Sequence, residues 1–148
     1  NANQDDFSKV KINNKLRSVI KASLAKINLF ASDENKRLKA AKNILENLEE
    51  QDKEIILEAL KSEKKSSIKD ILLEANTNLN AKFLRGEEQL KAIEELGGFL
   101  SSKSLETLNS LKESNDEKIK IAVTNALKEI ELSKTFYSFI ETSFFVLS

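Results

Sequence analysis

An all-α fold is predicted by three features of this sequence. The 148 residues include no Pro and only three Gly, so the residues that interrupt helices are nearly missing. Apolar residues make up 40% of the chain and recur with the 3.6-residue period of amphipathic helices. The periodic stretches are joined by short links, and none shows the alternation of a strand. We therefore expect about seven short helices in an antiparallel stack.

The first four helices are predicted from their apolar stripes and their caps. The first runs from about Ile12 to Phe30, and Ser32 is the expected N-cap of the second. A short third helix is expected to open at Gln51-Asp52, and a fourth at Ser66 or Ser67. The stripe that we expect the first helix to bury consists of Ile12, Leu16, Val19, Ile20, Leu24 and Ile27.

The last three helices are separated by Gly and by Ser-Asn-Asp segments. Gly86 precedes the fifth predicted helix. Gly97-Gly98 is expected to end it, because glycine readily adopts the left-handed conformation found at many helix C-termini. A sixth helix is expected from about Lys103. Ser114-Asn115-Asp116 is the predicted cap of the seventh helix.

The helical stretches repeat along the chain. A shift of 52 residues superposes Leu38, Ala41 and Ile44 on Leu90, Ile93 and Leu96. A shift of 51 superposes Ile68, Ile71, Leu72, Ala75 and Leu79 on Ile119, Ala122, Val123, Ala126 and Ile130. We expect repeat units at about 33–80 and 86–132 within one domain over 12–132, with residues 1–11 as a tag residue or leader. Stacking of such units is what builds a core in a repeat protein.

The C-terminal segment, 133–148, differs from the rest of the chain. Five of the nine aromatic residues lie within the last 13 positions: Phe136, Tyr137, Phe139, Phe144 and Phe145. One interpretation is a terminal helix or tail that folds back on the domain. The other is a membrane-proximal aromatic belt that leads toward a truncated transmembrane helix, since about 20 apolar residues are needed to span a bilayer.

The composition excludes several classes of function. Without His or Cys, the chain has no Ser-His or Cys-His nucleophile pair, no zinc site of the usual ligands and no haem or iron–sulfur ligation. The 24 basic and 24 acidic residues cancel, which argues against nucleic acid as a partner. Glu pairs such as Glu49-Glu50, Glu87-Glu88 and Glu94-Glu95 are interpreted as solvated helix faces. We assign no catalytic, cofactor-binding or metal-binding residue.

Two local patterns resemble a known type of repeat. Residues 32–45, SDENKRLKAAKNIL, look like the D-x-x-x-R-x-x-A-A-x-x-L helix of short HEAT-like repeats. Residues 115–123, NDEKIKIAV, resemble it more loosely and have Lys118 where Arg is typical. The resemblance implies a HEAT-like helical repeat solenoid, although the prolines expected around its turns are missing.

The order of segments resembles one family over nearly the whole chain. KINNKLR at 11–17, LFASD at 29–33, ALKEIE at 126–131 and the aromatic ending FFVLS at 144–148 are similar to the N-terminal extracytoplasmic region of the permease subunit of urea-type ABC transporters, a group of branched-chain amino-acid-like permeases. The resemblance implies a periplasmic domain of a bacterial inner-membrane protein. It implies as partners a periplasmic substrate-binding protein, a partner permease, ATP-binding subunits and, at the C-terminal end, the membrane.

Two other classes of function stay open. A soluble helical-repeat adaptor with no transport role would pack the Phe-rich tail as core. An enzyme of the bilin-lyase type, which has similar repeats, would need a constellation of His, Cys or Tyr residues that handles a chromophore, and this chain has one Tyr and neither of the others. We expect a protein-contact domain that docks the substrate-binding protein.

Overall fold

The computed structural model describes residues 19–20 and 23–146, without the side chains of 139 and 141–146. Every regular element in this part of the chain is helical. A first helical segment, α1, covers residues 19–20 and 23–28. After it come α2 (Glu34–Glu46), a 3₁₀ turn (Glu50–Asp52), α3 (Lys53–Ser62), α4 (Ser66–Phe83), α5 (Gly86–Leu96), α6 (Ser102–Leu111) and α7 (Glu117–Val146). The prediction of an all-α fold is confirmed for these residues.

The apolar stripe predicted for the first helix does not face the core. Ala25 and Leu29 are the buried residues of α1, at 7% and 3% exposure. The described stripe residues are about half exposed or more, namely Val19, Ile20, Leu24 and Ile27. For the described residues the prediction of a buried stripe was wrong, because α1 contributes Ala25 and Leu29 to the first core instead. Ile12 and Leu16 lie outside the described residues.

The N-terminal caps follow local hydrogen-bond chemistry. Asp33, rather than the predicted Ser32, caps α2 and accepts a hydrogen bond from the Lys36 N–H at 3.1 Å. A carboxylate at this position also interacts favourably with the helix dipole. The third helix is preceded by the 3₁₀ turn, in which the side chain of Asp52 accepts from the Glu49 N–H at 3.0 Å. The fourth helix begins at Ser66, as predicted.

Glycine plays two different roles at the ends of α5. Gly86, the first residue of the helix, has a φ of +65°, the only positive φ among the described residues. Gly97 has a φ of −59°, so the prediction of a left-handed helix end there was wrong. A Cβ at Gly97 would lie 3.2 Å from the Ala126 Cα and 2.7 Å from a Glu129 carboxylate oxygen. Gly97 therefore permits the end of α5 to approach α7.

The last two helices begin where the sequence predicts. Ser101 caps α6 by accepting from the Ser104 N–H at 3.1 Å. Before α7, the Asp116 carboxylate accepts from the Lys118 N–H at 2.9 Å. The helix then continues without a break to Val146, across the boundary that the sequence suggested near residue 132.

The helices pack in a repeated order around two cores. α2 and α3 pack on α4, and α5 and α6 pack on α7, while α4 also packs on α5 and α6. The first core includes Ala41, Ile44, Ile56, Leu72 and Leu79, and the second includes Ala81, Ile93, Leu108, Val123 and Ile130. α2 and α5 begin 52 positions apart, at Glu34 and Gly86. α4 thus contributes to both cores and joins them.

Candidate functional site

The aromatic residues predicted to lie near a membrane are on the C-terminal half of α7. Phe136 and Tyr137 are 62% and 59% exposed, and their rings meet edge to face with centroids 6.4 Å apart. The side chains of Phe139, Phe144 and Phe145 lie outside the described part of the chain. The structure therefore describes the side chains of two of the five predicted residues, and these two form an exposed aromatic pair.

This aromatic pair lies beyond the packed portion of α7. Ile130 is buried at 1% exposure, whereas positions 131–138 are exposed except for half-buried Ser133. Leu132, at 61% exposure, precedes the pair by one helical turn. We call Leu132, Phe136 and Tyr137 the aromatic end. Within residues 19–20 and 23–146, no helix combines the length and the apolar character needed to cross a bilayer.

A second candidate surface is a groove between α3 and α5, with α4 as its floor. Its volume is about 340 Å³. Asn76 and Asn80 of α4, with Leu84 at the C-cap of that helix, form the floor at four-residue intervals. Lys53 and Leu57 of α3 form one wall. The other wall is α5, with Glu88, Lys91 and Glu95 at its rim. We call this surface the asparagine groove.

The side-chain oxygens of the two floor asparagines lack hydrogen-bond partners among the described residues. The side-chain carbonyl oxygens of Asn76 and Asn80 are shielded from solvent and accept no hydrogen bond from the described residues. An unsatisfied buried polar atom costs about 1–3 kcal/mol. The amide of Asn78, between them, instead donates to the Glu74 carbonyl at 2.8 Å and to Ser104 Oγ at 3.2 Å. Asn76 and Asn80 are thus groove residues whose side-chain oxygens are unsatisfied hydrogen-bond acceptors.

The sequence contained a signal for this groove that the sequence-based predictions missed. Residues 76–80 read NTNLN in the middle of the predicted fourth helix. Asn is an unfavourable residue in helix interiors, because its short amide competes for local backbone groups. Three Asn residues in five helical positions therefore indicate a role other than helix formation. That α3 and α5 lie on either side of these Asn residues is known only from the tertiary structure.

The Arg of the repeat-like motif holds three segments together. Arg37 pairs with Glu63 through Nε–Oε2 at 2.7 Å and Nη2–Oε1 at 3.2 Å, and its Nη1 donates to the carbonyls of Ala31 and Ser32. The pKa of Glu63 is lowered from 4.5 to about 2, chiefly by the hydrogen bonds from Arg37. Burial of the carboxyl opposes this shift, and the N–H groups of Lys65 and Lys64 add to it.

The residue 52 positions after Arg37 has different chemistry. This residue, Gln89, is buried and donates from Nε2 to the Ala81 carbonyl at 2.8 Å. A cavity of about 640 Å³ lies beside Gln89, and one of about 320 Å³ lies beside Arg37. Gln89 thus joins α5 to α4 by a neutral hydrogen bond, whereas Arg37 forms an ion pair.

A polar network is buried where α4 meets the start of α6. The Glu74 carboxylate accepts hydrogen bonds from the hydroxyls of Ser101 and Ser104, the latter at 2.9 Å. Glu74 is 8% exposed and has no ion-pair partner among the described residues. Because both hydroxyls come from α6 or its cap, the network fixes α6 against α4.

The adjacent Glu pairs have the surroundings that the sequence predicts. Glu49-Glu50, Glu87-Glu88 and Glu94-Glu95 are all exposed. In the part of the chain that the structure describes, no group of three His, Cys, Asp or Glu side chains is arranged to hold a metal ion. Among the described residues, the aromatic end and the asparagine groove are candidate surfaces for contact with other molecules.

No protein family matches the sequence, and no curated protein is significantly similar to it. What this chain does is therefore inferred from the chemistry and geometry of its own residues.

Proposed function

We propose that this chain is a protein-contact domain built as a HEAT-like solenoid, with α2–α4 and α5–α7 as successive units. The repeated packing order supports this proposal, because α2 and α3 meet α4 as α5 and α6 meet α7. The 52-residue spacing between Glu34 and Gly86 at the starts of α2 and α5 supports it as well. Repeat stacks offer extended surfaces for binding partners.

The observation that carries the proposal is the aromatic end. Leu132, Phe136 and Tyr137 are each about 60% exposed on a helix that continues past the residues that α5 and α6 cover. Aromatic side chains are enriched in protein interfaces, where they bury a large area at a low entropic cost. A helix face that presents two touching rings and a Leu is therefore well suited to dock a partner.

The resemblance to urea-type ABC permeases gives the proposal a specific form. In this form the domain is extracytoplasmic and docks or orients the periplasmic substrate-binding protein near the pore. The membrane then lies beyond the C-terminal end of α7, so that the aromatic end contacts the binding protein close to the bilayer. This form also predicts a run of about 20 apolar residues in the gene after Ser148.

A titration with purified binding protein tests the proposal. The probe is the substrate-binding protein encoded beside the same transporter genes, added to this chain in a calorimeter. We expect binding that L132S/F136S weakens by about tenfold or more. The matched control is L73S/F83S, which also replaces one exposed Leu and one exposed Phe, on α4. Absence of binding at high micromolar concentration contradicts the permease form. Equal weakening by both variants contradicts the role of the aromatic end.

A further inference from the structure

The asparagine groove presents hydrogen-bonding groups at regular intervals. Asn76 and Asn80 are four residues apart on α4, which places their side chains about 6 Å apart along the helix axis. In an extended peptide, the N–H and C=O of one residue point to the same side, and the next residue that points this way is about 6.6–6.8 Å along the chain. The two spacings match closely.

We propose that the asparagine groove binds an extended peptide segment of a partner protein. Each Asn side-chain amide pairs with one peptide residue, its Oδ1 accepting from the peptide N–H and its Nδ2 donating to the peptide C=O. The amide turns easily about χ2, whose energy profile is broad, and so brings the shielded Oδ1 into the groove. Asn76 and Asn80 then serve peptide residues that are two apart.

The shape and the apolar groups of the groove fit such a segment. From Asn76 to Leu84 the floor extends about 12 Å, the length of roughly four extended residues. Leu57, at 39% exposure, and Leu84 line the same groove and provide apolar contact for a peptide side chain. The backbone amides of the peptide supply the hydrogen bonds. Leu57 and Leu84 supply part of the selectivity for the peptide side chains.

Other occupants fit less well. A helix uses its backbone N–H and C=O groups internally, so it would leave the amides of Asn76 and Asn80 unanswered. The rim carries Lys53 and Lys91 against Glu88 and Glu95, and these charges sum to zero. A groove without net charge does not select an anionic or cationic ligand. We therefore expect peptide binding that depends only weakly on salt concentration.

This inference goes beyond the proposed function and does not depend on it. The asparagine groove lies on α3, α4 and α5, whereas the aromatic end lies on α7. A chain that fails to bind the substrate-binding protein through Leu132 and Phe136 can still bind a peptide through Asn76 and Asn80. An experiment that contradicts one proposal therefore does not contradict the other.

The test uses random peptides of about ten residues, displayed on phage and selected on the immobilised chain; this length exceeds the roughly four residues that the groove spans. Enriched peptides are synthesised and their affinities are measured by fluorescence anisotropy. We expect N76A/N80A to weaken binding by about tenfold or more. The matched control, N109A/N125A, removes two exposed helical Asn residues outside the groove and should bind like the wild type.

Two further measurements distinguish the proposal from its alternatives. N-methylation of the peptide at two residues two apart should abolish binding, while methylation of the residue between them should be tolerated. The thermal midpoint of N76A/N80A should equal or exceed that of the wild type, because Ala is the better helix residue. The proposal is overturned if no peptide is enriched, if N76A/N80A binds as well as the wild type, or if methylation has no positional pattern.

Discussion

Arg37 and Glu63 form a two-bond ion pair that joins α2 to the end of α3, with 2.7 Å between Nε and Oε2. The side chain of Glu63 is 3% exposed and that of Arg37 is 20% exposed. The third nitrogen of Arg37 reaches the carbonyls of Ala31 and Ser32, so one guanidinium holds the chain on both sides of the pair. Removal of one partner from an ion pair this little exposed destabilises the folded chain, because the remaining charge stays buried without a partner.

Glu63→Gln should lower the free energy of unfolding by about 1.5–3 kcal/mol at neutral pH, since it removes charge-assisted hydrogen bonds. The pKa of Glu63 is lower in the folded chain, at about 2, than its ordinary value of 4.5. The stabilisation is therefore complete above pH 4.5 and is lost as the pH falls toward 2. Urea unfolding across this pH range should give free energies of unfolding for wild type and E63Q that converge at the acidic end.

The control for this change is Glu34→Gln. Glu34 pairs with Lys65 at 3.2 Å, but both side chains are about half exposed. Exposed pairs contribute about 0–1 kcal/mol, so E34Q should alter stability less than E63Q does. A difference between wild type and E63Q that stays constant from neutral pH to pH 2 would contradict the role assigned to the ion pair.

Ser104→Ala tests the buried network between α4 and α6. The Ser104 hydroxyl is fully buried, donates to Glu74 and accepts from Asn78. Its removal should cost about 1–3 kcal/mol of unfolding free energy, because both partners lose a hydrogen bond in a buried place. Ser102→Ala, at an exposed neighbouring position, should stay within about 0.5 kcal/mol of the wild type. Equal effects of the two changes in urea unfolding would refute the network.

Gly86→Ala should destabilise the chain by about 1–2 kcal/mol, because an L-residue is strained at a φ of +65°. No atom lies within 4 Å of a Cβ built there, so the cost is that of the backbone conformation alone. Gly98→Ala is the control, since its φ is not positive and its nearest contact is an ordinary 3.4 Å. It should be neutral or slightly stabilising. Thermal midpoints in the reverse order would contradict this assignment.

The sequence predicts most of the helices because their signals are local. Apolar spacing and capping residues act within one or two turns, so α4 begins at Ser66 and the segment before α7 caps through Asp116 as expected. The errors concern residues whose role is set by distant neighbours. Gly97 is explained by the approach of α7 at Ala126, and exposed Ile27 by the side of α1 that other helices cover.

The candidate surfaces differ in how far the sequence predicts them. Phe136 and Tyr137 stand out by composition alone, and they lie exposed on α7. The asparagine groove requires α3 and α5 to flank α4, and no local pattern specifies which helices become neighbours. The run of Asn in the middle of α4 marks one element of the groove, and Leu57 enters it only through packing.

Because α4 belongs to both cores, the two cores are not thermodynamically independent. Leu72 and Leu79 are buried in the first core and Ala81 in the second, on the same helix. Unfolding of α5–α7 alone would expose Ala81 and Asn78 to water and release Glu74 from its serines. In such a partly unfolded chain, α4 stays folded but loses packing and hydrogen bonds, which raises the free energy of that state. The unfolding of α5–α7 is therefore coupled to that of α2–α4.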